Sequence, residues 1–209
     1  MSYIELKEIS KSFGEKVILD HFCLSVEKGE FAGIQGESGK GKSTLLNIIG
    51  LLEECEGEIY LNGKKTEKKD RKNLWKHFHL KIGYLFQNFA LIDDESVYDN
   101  LKIVLEKGRR KEQEEKMKGV LKQVGFSEEI LDKKIYQLSG GEQQRIALAR
   151  IILYDSDIIL ADEPTGSLDD GNKRIVMEIL QSLTKEGKTI IMVSHDKEAL
   201  EYCSRVVRL

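Results

Sequence analysis

Glu30-Phe31-Ala32-Gly33-Ile34-Gln35-Gly36-Glu37-Ser38-Gly39-Lys40-Gly41-Lys42-Ser43-Thr44-Leu45-Leu46 is the stretch from which the fold can be worked out. Glu30 to Gln35 reads as a buried strand. The next eight residues, Gly36 to Ser43, match G-x-x-x-x-G-K-[ST] at every fixed position. Lys42 to Leu52 then places Leu45, Leu46, Ile48, Ile49 and Leu52 at helical spacing. Strand, glycine loop and helix in that order form a wrap for a phosphate chain. Side chains at Gly36, Gly39 and Gly41 would obstruct the approach of the phosphates or the backbone angles it needs. The helix presents its positive end to the anion. Lys42 can reach the β- and γ-phosphates, and Ser43 can place its hydroxyl on Mg²⁺. The pattern therefore predicts a nucleotide site at Gly36, Glu37, Ser38, Gly39, Lys40, Gly41, Lys42, Ser43 and Thr44. An incidental glycine turn would lack the flanking strand and helix.

The rest of the chain reads outward from this loop. Upstream, Ile4 to Lys7 and Phe22 to Val26 alternate as antiparallel strands with one wet face do. Downstream, Gly57 to Leu61 is a short strand closed by the turn dipeptide Asn62-Gly63. Lys64 to Lys72 is a run rich in Lys and Arg, expected to be a solvated loop because no aromatic residues interleave for base stacking. Lys81 to Phe86, Asp157 to Ala161, Thr189 to Val193 and Arg205 to Leu209 carry strand signals. Between about Phe89 and Gln137 the β-branched runs stop. Met117, Val120, Leu121 and Val124 mark one face of a helix there, and the segment is expected to be an all-helical insert. A later helix is expected to bury Ile175, Ile179, Leu180 and Leu183. Strands alternating with helices imply an α/β fold with a mostly parallel sheet covered on both sides. At 209 residues the chain is expected to be one domain, 1–209, carrying that insert.

Composition narrows the function classes. The 33 Lys and Arg against 36 Asp and Glu give a net charge of -3, without the basic excess of a nucleic-acid module. No apolar run reaches the roughly 18 residues that cross a bilayer, and the N-terminus lacks a secretory core. Cys23, Cys55 and Cys203 form no CxxC pair, which suits a reducing cytosol and three buried small hydrophobes.

A second site selects among the nucleotide-using classes. Ile158-Ile159-Leu160-Ala161-Asp162-Glu163 is an apolar strand ending in two carboxylates. Its end can deliver Asp162 to the metal and Glu163 to an attacking water. Asn172-Lys173-Arg174-Ile175 lacks the final Asp of a guanine-reading Asn-Lys-x-Asp. Thr44 to Leu138 lacks the sustained heptads of a chromosome-maintenance coiled coil.

Leu138-Ser139-Gly140-Gly141-Glu142-Gln143-Gln144-Arg145 completes the pattern. The order of phosphate loop, Gln87, this octet, Asp162-Glu163, Ser167-Leu168-Asp169 and His195 resembles the ATP-binding subunits of ABC transporters over nearly the whole chain. The resemblance implies a P-loop NTPase core with an N-terminal antiparallel β-subdomain, ATP and Mg²⁺ as ligands, and an ATP-dependent homodimer. It implies that Phe13 stacks on adenine and that Gln87 senses Mg²⁺ and the γ-phosphate. It implies that Ser139, Gly140, Gly141 and Glu142 bind the ATP held by the other subunit, and that Asp169 links the two sites. It casts Lys42, Gln87, Glu163 and His195 as catalytic, and Ser43, Gln87 and Asp162 as metal ligands.

The stretches Ser43 to Leu52, Gly57 to Ile59 and Asp162 to Asp169 are similar to the macrolide and lipoprotein exporter type. Tyr84 to Ile92 is similar to the Q-loop of lactococcin-type bacteriocin exporters, although Asp93-Asp94-Glu95 replaces the usual Pro-containing turn. A separate membrane permease is the expected partner, with the chain peripheral at the cytoplasmic face of the membrane and touching it only through the permease. No regulatory domain is expected after Leu209. Mechanical signalling or peptide sensing without cargo remains the alternative.

Overall fold

The computed structural model describes residues 2–37, 39–67 and 78–209. Two sheets and a helical layer make up the described residues. Strands β1 (Ile4–Phe13), β2 (Lys16–Val26), β4 (Glu56–Leu61) and β5 (Lys64–Lys65) form an antiparallel sheet in the order β2-β1-β4-β5. Strands β3 (Phe31–Gln35), β6 (Ile82–Leu85), β7 (Ile158–Asp162), β8 (Thr189–Ser194) and β9 (Arg205–Arg208) form a wholly parallel sheet in the order β6-β7-β8-β3-β9. Among the described residues the α-helices are α1 (Lys42–Ile49), α2 (Val97–Lys102), α3 (Arg110–Gln123), α4 (Gly140–Leu153), α5 (Asp170–Lys185) and α6 (Lys197–Leu200).

The parallel sheet separates two cores, because successive side chains of a strand point to opposite faces. Ile158, Leu160, Ile191 and Val193 face α1 and the antiparallel sheet, together with Ile34, Leu45, Leu46, Ile48 and Ile49. Ile159, Ala161, Ile190 and Met192 face the helical side, with Ile146, Leu148, Met177 and Leu180. This double burial is why these strands read as unbroken apolar runs.

Several boundaries depart from the sequence reading. α1 stops at Ile49, three residues early. Gly50 follows, and Leu51 turns left-handed at φ +56°. The N–H of Leu52 then closes on the Asn47 carbonyl at 2.7 Å, leaving Leu52 60 % exposed. β1 and β2 are far longer than expected and form one hairpin. Their pairing is broken by register shifts, with left-handed backbone at Glu8 (φ +52°) and His21 (φ +47°). Asn62 (φ +51°) and Gly63 (φ +72°) form the anticipated tight turn, pairing Leu61 with Lys64. The basic run begins as β5, and 68–72 lie outside the described residues.

The cysteines also correct the expectation. Cys23 is exposed, and its thiol donates to Glu8 Oε1 at 3.2 Å. Cys55 and Cys203 are partly buried, and burial pushes the Cys203 thiol up to about 12. On α5 the buried face is Val176, Met177, Ile179, Leu180 and Leu183, while Ile175 is 38 % exposed.

The insert is built from α2, α3 and two short 3₁₀ turns, with one isolated bridge between Ser96 and Lys134. Met117, Leu121 and Val124 are fully buried as their spacing predicts. Asn100 fastens the entry loop. From a fully buried position its Oδ1 accepts from Ile92 N (2.8 Å), and its Nδ2 donates to the carbonyls of Ile92 (3.1 Å) and Ser96 (3.0 Å). Asn100→Ala removes all three bonds, and a urea melt should show a loss of about 1–3 kcal/mol. An unchanged midpoint would show that the loop does not depend on this side chain. Among the described residues no helix is long and apolar enough to cross a membrane.

Candidate active site

The sequence after β3 makes a loop that only glycine permits at its closing position. Gly41 caps α1 at φ +91°, and a Cβ there would lie 2.4 Å from Ile18 Cγ2. Gly39 also takes the left-handed region, at φ +78°. Ser38 lies outside the described residues. Lys42 points back beneath the loop and is 7 % exposed. Its Nζ donates to the carbonyls of Gly36 (2.9 Å) and Glu37 (3.2 Å) and lies 3.4 Å from Glu163 Oε1.

β7 delivers the acidic pair to the same place. Burial pushes the Asp162 carboxyl above the ordinary aspartate range; the hydrogen bond with Ser43 opposes this, Glu163 adds to it and Lys42 opposes it. Glu163 leaves the strand in a left-handed conformation, φ +45°, with its N–H on the Val193 carbonyl (3.0 Å). Its Oε2 accepts from Ser194 Oγ (3.2 Å) and His195 N (3.3 Å), and His195 Nδ1 lies 2.9 Å away. The carboxylate is thus suspended between the lysine of one strand–loop–helix unit and the histidine that follows β8.

Ile18, Gly39, Gly41, Lys42, Ser43, Thr44, Gln87, Asp162, Glu163 and His195 line one cleft of about 310 Å³. The parallel sheet explains the gathering: β3, β7 and β8 are adjacent, and all end on the same edge. Gly36, Glu37, Lys40 and His195 line a neighbouring hollow. Phe13 lines neither; it is 52 % exposed at the β1–β2 turn, with Lys11 Nζ 4.9 Å from its ring centre.

Ser139, Gly140, Gly141 and Glu142 also lie outside the lining of both hollows. They open α4 as a reciprocal cap. Glu142 N donates to Ser139 Oγ (3.3 Å), and Ser139 N donates to Glu142 Oε2 (2.8 Å), holding Glu142 below the usual carboxylate range. Such a helix end exposes N–H groups suited to an anion. Asp169 caps α5, accepting from Asn172 N (2.9 Å) and Nδ2 (2.6 Å), with the Asn172 N–H holding its carboxyl low.

The sequence reading overlooked three residues that join these parts. Asn172 packs so tightly on Gly141 that a Cβ there would meet its Cγ at 2.3 Å. Arg150 Nη1 and Nη2 donate to the carbonyls of Ala90 (2.8 Å) and Phe89 (3.3 Å), both in left-handed conformation just after Gln87. Gln144 is 1 % exposed and donates to the Pro164 carbonyl at 2.8 Å. The available signal was an amide, Gln144, and a cation, Arg150, set beside and within the apolar run from Ile146 to Leu153.

Comparison with known proteins agrees with this geometry. The family model described as ABC transporter matches residues 19–166, more than half of the chain. The lipoprotein-releasing system ATP-binding protein LolD of Aquifex aeolicus is 38% identical, covering 99% of this chain and 93% of LolD. The macrolide export ATP-binding/permease protein MacB of Aggregatibacter actinomycetemcomitans is 38% identical over 100% of this chain, which spans only 33% of MacB. The dimeric structure of the cassette MJ0796, from Methanocaldococcus jannaschii, superposes with a TM-score of 0.88 at 37% identity, covering 99% of this chain and 94% of the other. The same cassette is known in a dimeric post-hydrolysis state with ADP and Pi, at the same TM-score. With a glycine-rich loop, a capped Ser-Gly-Gly-Glu helix and an acidic strand end in this order, the chain belongs to the ABC transporter family and is one of its ATP-hydrolysing subunits.

Proposed function

We propose that this subunit pairs with a second copy around two ATP molecules and drives a separate membrane permease in export. The observation that carries the reading is the split of the binding groups. The phosphate loop, Lys42, Asp162, Glu163 and His195 share one cleft, whereas the capped helix end at Ser139 lies outside it. Each chain then offers two incomplete half-sites. The dimeric form of the similar cassette MJ0796 supports the pairing.

In this reading the loop N–H groups and Lys42 hold the β- and γ-phosphates, and Phe13 stacks on the adenine. Ser43, Asp162 and Gln87 offer a hydroxyl, a carboxylate and an amide oxygen, a hard-donor set suited to Mg²⁺ when it shares phosphate ligands. The ion would neutralise charge on the phosphates. Glu163 takes the proton of the attacking water as the new oxygen–phosphorus bond forms and the β–γ bridge breaks. His195, beside Glu163, faces the γ-phosphate. The partner's signature turn closes over the same phosphate, and Asp169 connects the two sites. Loss of the phosphate removes what joins the copies, and the pair opens.

Similarity to LolD and MacB supports a lipoprotein or drug as cargo, and the Q-loop resemblance supports a peptide or bacteriocin. The chain would sit at the cytoplasmic face of the membrane through its permease. Ser139→Arg tests the pairing. It should leave ATP binding by the single chain intact and abolish ATP-dependent dimerisation in sedimentation. Normal pairing would count against the trans role of this turn.

A further inference from the structure

Gln144 lies one helical turn inside α4, behind the signature cap, and only 1 % of it is exposed. Its Nε2 donates to the carbonyl of Pro164, the residue that follows Glu163. Among the described residues neither its Oε1 nor the hydroxyl of Thr165, both buried, has a hydrogen-bond partner. Buried amides with half their capacity unused are costly and uncommon in a packed interior. The cost falls next to a strained residue, because a non-glycine φ of +45° persists only where the surroundings over-determine it. The Glu163 side chain is held by Ser194, His195 and Lys42; on the main chain from Glu163 to Leu168 the constraints include the Glu163 N–H on Val193, the Gly166 N–H on the Glu163 carbonyl (3.2 Å), the Leu168 N–H on Thr165 (3.2 Å) and the Gln144 amide on Pro164. Three of the four lie within the β7–β8 edge and its loop. Of these four main-chain bonds, the Gln144 bond is the one made from another layer, the helix that carries Ser139 to Glu142.

We propose that Gln144 is a positioning residue for Glu163, transmitting the placement of the signature helix to the hydrolytic carboxylate of the same chain. The proposal rests on the reading of Glu163 as the base. Ile146, Ala147, Leu148 and Ala149 are all buried, so a displacement at one end of α4 would be carried along its packed length. A shift of its capped end pulls on the Pro164 carbonyl through the 2.8 Å bond and turns the peptide beside Glu163. A γ-phosphate clasped at the end of α4 by a second copy is thereby coupled to the base of the chain that lends the helix.

Gln144→Met keeps the side chain's length and volume and removes the donor. In steady-state assays kcat should fall about 10- to 100-fold, the usual cost of a misplaced catalytic group. The ATP dissociation constant, read by fluorescent-nucleotide titration, and the melting temperature should stay unchanged. A kcat within about twofold of wild type would overturn the proposal. So would a joint loss of kcat, affinity and melting temperature, which marks a packing role. If the Met variant is insoluble, Gln144→Asn withdraws the donor by one methylene and should give the same split. Glu163→Gln assayed in parallel separates the two claims. If it turns over like wild type, the base assignment fails and the positioning role with it. If it is inert while Gln144→Met keeps full kcat, only the positioning role falls.

Discussion

Glu163→Gln should leave a protein that binds ATP, pairs and does not let go. The substitution keeps the side chain's size and its contacts with Ser194 and His195, but the amide cannot take a proton from water. Removing a positioned base typically costs about 10²- to 10⁴-fold in rate. The change also deletes a negative charge 3.4 Å from Lys42 Nζ, in a cleft that already holds Asp162. Less repulsion then faces an incoming triphosphate, so ATP affinity should rise rather than fall. Sedimentation with ATP should show a persistent dimer, and a phosphate-release assay should show almost no turnover. Rapid hydrolysis by this variant would remove Glu163 from the role of base.

Lys42→Ala has an equally large expected effect on binding. The ammonium lies almost wholly out of solvent and balances two carboxylates, one of them raised by burial. Without it the cleft keeps its acids and loses its cation. A charge-assisted contact to phosphate is among the strongest hydrogen bonds a protein makes. Affinity for ATP should drop at least about 100-fold, a difference of about 2.7 kcal/mol. A calorimetric titration with near-normal affinity would refute the phosphate-loop assignment. Folding should survive, because the contacts of Lys42 among the described residues are with loop carbonyls and the cleft carboxylates rather than with the core.

Much of the site was legible because its chemistry is local. The glycine loop needs residues 36–43 in one contiguous run, and Asp162 and Glu163 stand at the end of a run whose apolarity marks the strand. Alternating strands and helices imply a mostly parallel sheet but not its strand order; the order β7-β8-β3 seen in the structure brings His195 to Glu163. What escaped was decided across layers. Neither Gln144 on Pro164 nor Asn172 on Gly141 has a periodic signature, since each is a single contact made by packing one helix on another structure. The end of α1 was misjudged because Leu52 fits the helical period. Gly50 and a left-handed Leu51 override that period. Cys23 departs from the expected burial because burial frequency says nothing about which face of a bent hairpin a residue meets, and Cys23 lies on the wet one.

The kinks at Glu8 and His21 also bear on how copies of this chain can meet. β2 is an outer strand, and a straight outer strand offers its free amides and carbonyls as a template for stacking against a neighbour. Left-handed backbone at His21, with charged Lys16 and Asp20 nearby, spoils that template. Ribbon-like aggregation through this rim is thereby discouraged at high protein concentration.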